Sequence, residues 1–139
     1  MSYLLDTNVI SELVARQPEA AVLAYVGRLD PESVYLSAIT VGEIKRGIEK
    51  LPSSERRSRL QSWIHEDLPI RFQGHILPID VEVMLCWGNL VSRLSKAGRI
   101  LPAMDSLIAA QALYHKCVLV TRSAADFEDT GASVFNPWR

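Results

Sequence analysis

Tyr3-Leu4-Leu5-Asp6-Thr7-Asn8 runs from three apolar residues straight into a carboxylate and two polar side chains. The triplet reads as a short buried strand. A helix is expected directly after it, because Val9, Ile10, Leu13 and Val14 recur at helical spacing between Thr7 and Ala15. Asp6 thus falls at the junction of strand and helix, on the edge of a core. An aspartate there either caps the helix or serves something the protein binds.

Outward from this junction, the same alternation recurs. Pro18 suits a first helical turn, and Glu19 to Val26 reads as a second helix. Val34-Tyr35-Leu36-Ser37 is a second β-prone run. It leads into Thr40-Val41-Gly42-Glu43, which has the spacing of a capping box. Val41, Ile44, Ile48 and Leu51 then form the apolar stripe of a helix stopped by Pro52. A charged helix is expected from about Ser54 to Asp67, with Leu60, Trp63, Ile64 and Leu68 on its apolar side. Ile76-Leu77-Pro78-Ile79 reads as an edge strand, since proline cannot donate to a ladder. Two helices follow, Val81 to Ala97 with Gly98 as its stop, and Met104 to Lys116, apolar almost all round. Cys117 to Thr121 is the strongest strand, and Val134-Phe135 a weak last one. Strands alternating with helices imply an α/β fold with a parallel sheet covered on both faces, in which sites lie beyond the carboxyl ends of the strands.

Composition removes several classes of function. At 139 residues the chain is expected to be one domain, 1–139, and its 48% hydrophobic and 22% charged content fits a globular core. A net charge of −1 gives no global attraction to nucleic acid, so such binding needs a local basic patch. Cys86 and Cys117 are far apart, which argues against a disulfide scaffold or a zinc ribbon. His65, His75 and His115 have no metal-ligand spacing. No signal peptide or membrane span is legible, and a cytoplasmic location without membrane contact is expected.

The acids carry the chemistry. Besides Asp6, Glu43 enters on the helix after the second strand, Asp105 on the helix after Pro102, and Ser123 and Asp126 follow the fourth strand. Singly, each has an ordinary explanation: Asp6 and Asp105 as N-caps, Glu43 as the capping-box partner of Thr40, Asp126 as a loop acid. Jointly these weaken, because carboxylates crowded on one rim raise one another's pKa unless a cation neutralises them. Oxygen ligands without His or Cys suit Mg²⁺ or Mn²⁺.

LLDTNVISEL, VYLSAITVGEIKRGIEKLP, PAMDSLIAAQAL, LVTRSAADF and VFNPWR occur in one order over nearly the whole chain. Together they resemble the PIN-domain toxins of the VapC family, in its FitB-like branch. The resemblance implies a PIN-like three-layer α/β/α fold. It implies that Asp6, Glu43 and Asp105 form an acidic core, with Asp6 and Asp105 on the metal. Thr7 and Asn8 match the polar pair after the first acid, and Thr121 the hydroxyl closing the last long strand; all three are candidates for substrate contact. Many relatives carry Asp or Asn where this chain has Ser123, so Asp126 is taken as the fourth acid.

The implied activity is that of an endoribonuclease, a toxin that cleaves RNA phosphodiester bonds with water activated by Mg²⁺ (or Mn²⁺). Glu43 binds a second metal, orients the water or takes its proton; the sequence does not choose. Backbone N–H groups at the helix start near Thr7 and Asn8 are candidates for holding a phosphate oxygen. Lys45, Arg46, Lys50, Arg56, Arg57 and Arg59 form either a solvated basic face or an RNA contact. Implied partners are a cognate antitoxin of the VapB or FitA type, which alone brings the pair to DNA, and a second copy in a homodimer. Rival readings are weaker. A haloacid-dehalogenase phosphotransferase needs a second Asp where Asn8 stands, and a receiver domain needs an acidic pair before the first strand's Asp. The alternative that survives is a largely non-catalytic regulatory partner that tunes an antitoxin's DNA binding, supported by the missing acid at Ser123.

Overall fold

The order in which the strands lie side by side fixes where a site can form. In the computed structural model, which describes residues 1–139, five parallel strands make one sheet in the order β3-β2-β1-β4-β5. They are β1 (Ser2–Leu5), β2 (Val34–Ser37), β3 (Ile76–Leu77), β4 (Cys117–Val120) and β5 (Val134–Phe135). Seven α-helices connect them: α1 (Thr7–Leu13), α2 (Ala20–Arg28), α3 (Ala38–Glu49), α4 (Glu55–Ser62), α5 (Leu68–Arg71), α6 (Val81–Lys96) and α7 (Ala103–His115). The chain winds outward from β1 in one direction and then, from β4, in the other. The crevice between β1 and β4 is therefore the topological switch point.

Strand alternation splits the core into two layers. Leu5, Val34, Leu36 and Val120 pack with the helices from α1 to α5, while Leu4, Cys117 and Leu119 face the opposite layer under α6 and α7. This is the expected α/β/α sandwich. Register then aligns the strand ends: Leu5 pairs with both Leu36 and Val120, so Asp6, Ser37 and Thr121 all stand one step beyond, at the carboxyl edge.

Three local expectations are corrected. The capping box at Thr40 does not form: α3 starts earlier, capped by the Ser37 hydroxyl, which accepts from the Ile39 N–H at 3.0 Å. Asp105 is not an N-cap either, because Pro102 holds that position and Asp105 lies within the first turn of α7. The charged helix does not end at Asp67. A π-turn over Trp63–Asp67, with the Leu68 N–H bonded back to the Trp63 carbonyl, carries it into α5. Pro69 is the physical cause: it lacks an N–H and its ring would strike the carbonyl four residues back, and the wider turn absorbs both. No helix is long and apolar enough to cross a membrane.

Candidate active site

Asp6 is 5% exposed, and the backbone around it is fully used. Its N–H donates to the Val120 carbonyl, which fastens it to the end of β4, and its own carbonyl receives the first N–H groups of α1. Its carboxylate is held from both sides. Oδ1 accepts from the Thr7 N–H and Oδ2 from the Thr121 hydroxyl, each at 2.8 Å. Asp6 is thus a helix cap as well as a member of the acid group. The Thr7 N–H, spent on this cap, is not free for a phosphate.

Thr121 is saturated by its neighbours. While donating to Asp6 its oxygen accepts from the Ser123 N–H at 3.0 Å and from Asn8 Nδ2 at 3.3 Å. Asn8 Oδ1 in turn accepts from the Arg122 N–H at 3.2 Å. Thr7 forms a second link: its hydroxyl donates to Glu43 Oε1 at 2.5 Å and stands 3.0 Å from the Thr40 hydroxyl, which is left as the donor of that pair. Thr7, Asn8 and Thr121 therefore spend their polar atoms on positioning the acids. Thr40 was read only as a cap; its signal was a hydroxyl on the buried stripe of α3, 0% exposed.

Asp105 faces this group from α7. Burial pushes its carboxyl above the usual aspartate range, and the negative charges of Asp6, Glu43 and Asp126 push it further. Asp6 is raised as well, by burial first and by Glu43 to a lesser degree, against the lowering pull of its bonds to Thr121 and Thr7. The charges of Asp6, Glu43 and Asp126, each from a different segment, thus all reach Asp105. Asp126 is exposed on a 3₁₀ turn over Ala124–Thr130, and Ser123 contributes its backbone N–H to Thr121.

The donor set is entirely hard oxygen, and the mutual repulsion is of the kind a divalent cation relieves. No three of these side chains are grouped closely enough to grip a single ion. The residues fit such an ion in chemistry, and the carboxylates available to it are those of Asp6, Glu43, Asp105 and Asp126.

Positive charge near the rim is partly spent inside the protein. Lys45 pairs with Glu49 at 2.8 Å and reaches Gln61, while Arg57 pairs with the other oxygen of Glu49. Arg46 makes no ion pair. On the far side, Arg122 stacks over the Trp138 ring at 5.4 Å, and Asn136 Nδ2 donates to the Arg122 carbonyl. The tail Phe135-Asn136-Pro137-Trp138 thereby braces the segment that carries Thr121.

The sequence profile of the PIN domain matches residues 3–132. The chain belongs to the PIN-domain family. Within it, this PIN domain is 38% identical over 135 residues to Toxin FitB of Neisseria gonorrhoeae, covering 97% of each chain. It is 36% identical over 135 residues to VapC ribonuclease Y4jK of Sinorhizobium fredii, covering 97% of this chain and 96% of that one. Among solved structures, FitAB bound to an IR36 DNA fragment superposes with a TM-score of 0.93 at 37% identity, over 99% of this chain and 96% of that one. PIN-domain nucleases of the VapC kind are generally metal-dependent.

Proposed function

We propose that this PIN domain, residues 1–139, is the toxin of a toxin–antitoxin pair and an endoribonuclease that hydrolyses RNA phosphodiester bonds with Mg²⁺ or Mn²⁺. The observation that carries the reading is the bracketed carboxylate of Asp6: buried, held by Thr121 and Thr7, and tied through Thr7 to Glu43. A structural cap needs one hydrogen bond to a helix N–H. It does not need three further acids.

Asp6 and Asp105 would hold the cation. When bound, such an ion polarises a phosphoryl oxygen and lowers the pKa of a water. Glu43 has Oε1 committed to Thr7, which fixes the carboxyl and leaves Oε2 to orient a water or take its proton. Asp126 completes the rim as its fourth acid. Its charge reaches Asp105, which supports Asp126 in the place of the acid missing at Ser123. Partners in this reading are single-stranded RNA, an antitoxin of the VapB or FitA type that alone contacts DNA, and a second copy of the chain. The similarity to a FitAB complex on DNA supports the antitoxin.

The test is cleavage of short unstructured RNA by the purified chain. Activity should appear with Mg²⁺ or Mn²⁺, vanish in EDTA, and fail with Ca²⁺, whose larger and looser shell misplaces the water. Activity that survives EDTA, or that requires Zn²⁺, would refute the ligand assignment.

A further inference from the structure

A cavity of about 360 Å³ opens beside Glu43, lined by Ile39, Gly42, Ile79 and Met104, with Arg46 as its one cation. The chemistry above gives it no task. Its size falls in the range of small-ligand sites, and its lining is mostly apolar. Met104 is 51% exposed beside Asp105, so an apolar surface borders the acids.

Gly42 is the second observation. It lies inside α3, where glycine costs about 1 kcal/mol relative to alanine. A Cβ built there meets no atom of the protein within 4 Å. A side chain there would project into the cavity, so Gly42 leaves that wall open. Arg46 is the third. Its neighbours Lys45 and Arg57 are paired with Glu49, but Arg46, one turn beyond Glu43, is left without an ion pair.

We propose that this cavity is a nucleobase subsite, which takes one unstacked guanine next to the phosphate under attack, with Arg46 as the residue that reads it. The proposal rests on the ribonuclease reading. Single-stranded RNA is recognised by splaying out bases onto apolar surfaces and binding their edges. Guanine offers two acceptors, N7 and O6, to both arms of a guanidinium, whereas adenine presents a donor at N6 in place of one. Glu43 lines the cavity and also belongs to the acid group, so a base seated here keeps its own phosphate beside the acids.

The experiment sequences the RNA ends produced from a random single-stranded pool by the full chain, by Arg46→Lys and by Gly42→Leu, with Mg²⁺ present. Wild type should cut at a fixed offset from guanine. Arg46→Lys keeps the charge and loses the fork. It should flatten the preference and lower kcat/KM at guanine sites by roughly 10- to 100-fold. Gly42→Leu should lower kcat/KM at every site without lowering Tm, since leucine is the better helix former. Guanine preference retained by Arg46→Lys, or wild-type cleavage by Gly42→Leu, overturns the proposal. So does unchanged cleavage in both variants with weakened antitoxin binding, which assigns the cavity to a protein side chain. Asp6→Asn separates the two readings. If it cuts at the wild-type rate, the ribonuclease assignment falls; if it is slowed at least about 10²-fold while wild type cuts without base preference, the subsite alone falls.

Discussion

Two charged regions of this molecule share one helix and obey opposite rules. On the outer side of α3, Glu49 is fully ringed by Lys45, Gln61 and Arg57, and its carboxyl is held down at about 2, chiefly by the bond to Lys45. In the middle of the same helix, Glu43 joins Asp6, Asp105 and Asp126, with no cation paired to any of them, and Asp105 is pushed upward. The first group is exposed and balanced. The second is half-buried and unbalanced. Charge that is already neutralised inside the protein has structural work only, whereas charge left uncompensated at a strand end waits for a partner of opposite sign.

The largest break in that contrast comes from removing an acid of the unbalanced group. Asp105→Asn and Asp6→Asn should each lower RNA cleavage by at least about 10²-fold, the scale of a lost electrostatic contact in the transition state. Single-turnover rates at saturating Mg²⁺ measure it. Asp126→Asn should fall by a comparable factor and Ser123→Ala by little, because Ser123 acts through its backbone N–H. The opposite result would transfer the fourth position to the hydroxyl.

Thr121→Val tests the bracket rather than the charge. The swap keeps the shape and removes the donor to Asp6 Oδ2. Cleavage should drop roughly 10-fold, on the scale of one charged hydrogen bond. The acid limb of the pH profile should also move upward, because a bond that lowered the Asp6 pKa is gone. A rate loss with an unmoved profile would indicate only a packing defect.

Stability against pH should separate the regions by sign. Asp105 binds its proton more tightly when folded, so its penalty is absent well below the ordinary value of 3.8, grows as pH rises through the window above it, and persists at neutrality. In EDTA, Asp105→Asn should therefore raise Tm at pH 7 and lose that advantage near pH 3. Glu49 runs the other way. Its contribution is present above 4.5 and is lost as pH falls toward 2. Glu49→Gln should give the smallest effect, a slight fall in Tm that fades in high salt and leaves cleavage unchanged, since exposed pairs are screened.

The sequence was informative where structure is local or periodic. Strand alternation at Leu4 and Leu5 and the helical stripes set the layers, and the strand ends predicted where Asp6 would stand. It misled where a local pattern had a distant competitor. Thr40 and Glu43 have capping-box spacing, yet both face Thr7, over thirty residues earlier, while Ser37 takes the cap. Asp105 looked like a cap because Asp often is one, but Pro102 starts the helix at no cost in donors. The π-turn has no signature of its own in the charged run, because its cause, Pro69, lies beyond the turn. The cavity at Gly42 and Arg46 was invisible, since it is formed by side chains from α3, α7 and the segment after β3.

The bond from Thr121 to Asp6 spans 115 residues of chain and joins the ends of β4 and β1, two strands made far apart in time. β1 is central in the sheet, yet its neighbour β4 is made only after all seven α-helices. On the ribosome, an unfinished polypeptide already carries Asp6, Glu43 and, later, Asp105. It lacks the hydroxyl that brackets the first of them, and it lacks the Asn136–Trp138 brace behind that hydroxyl. The acids are therefore in place along the chain before the residues that hold the first of them.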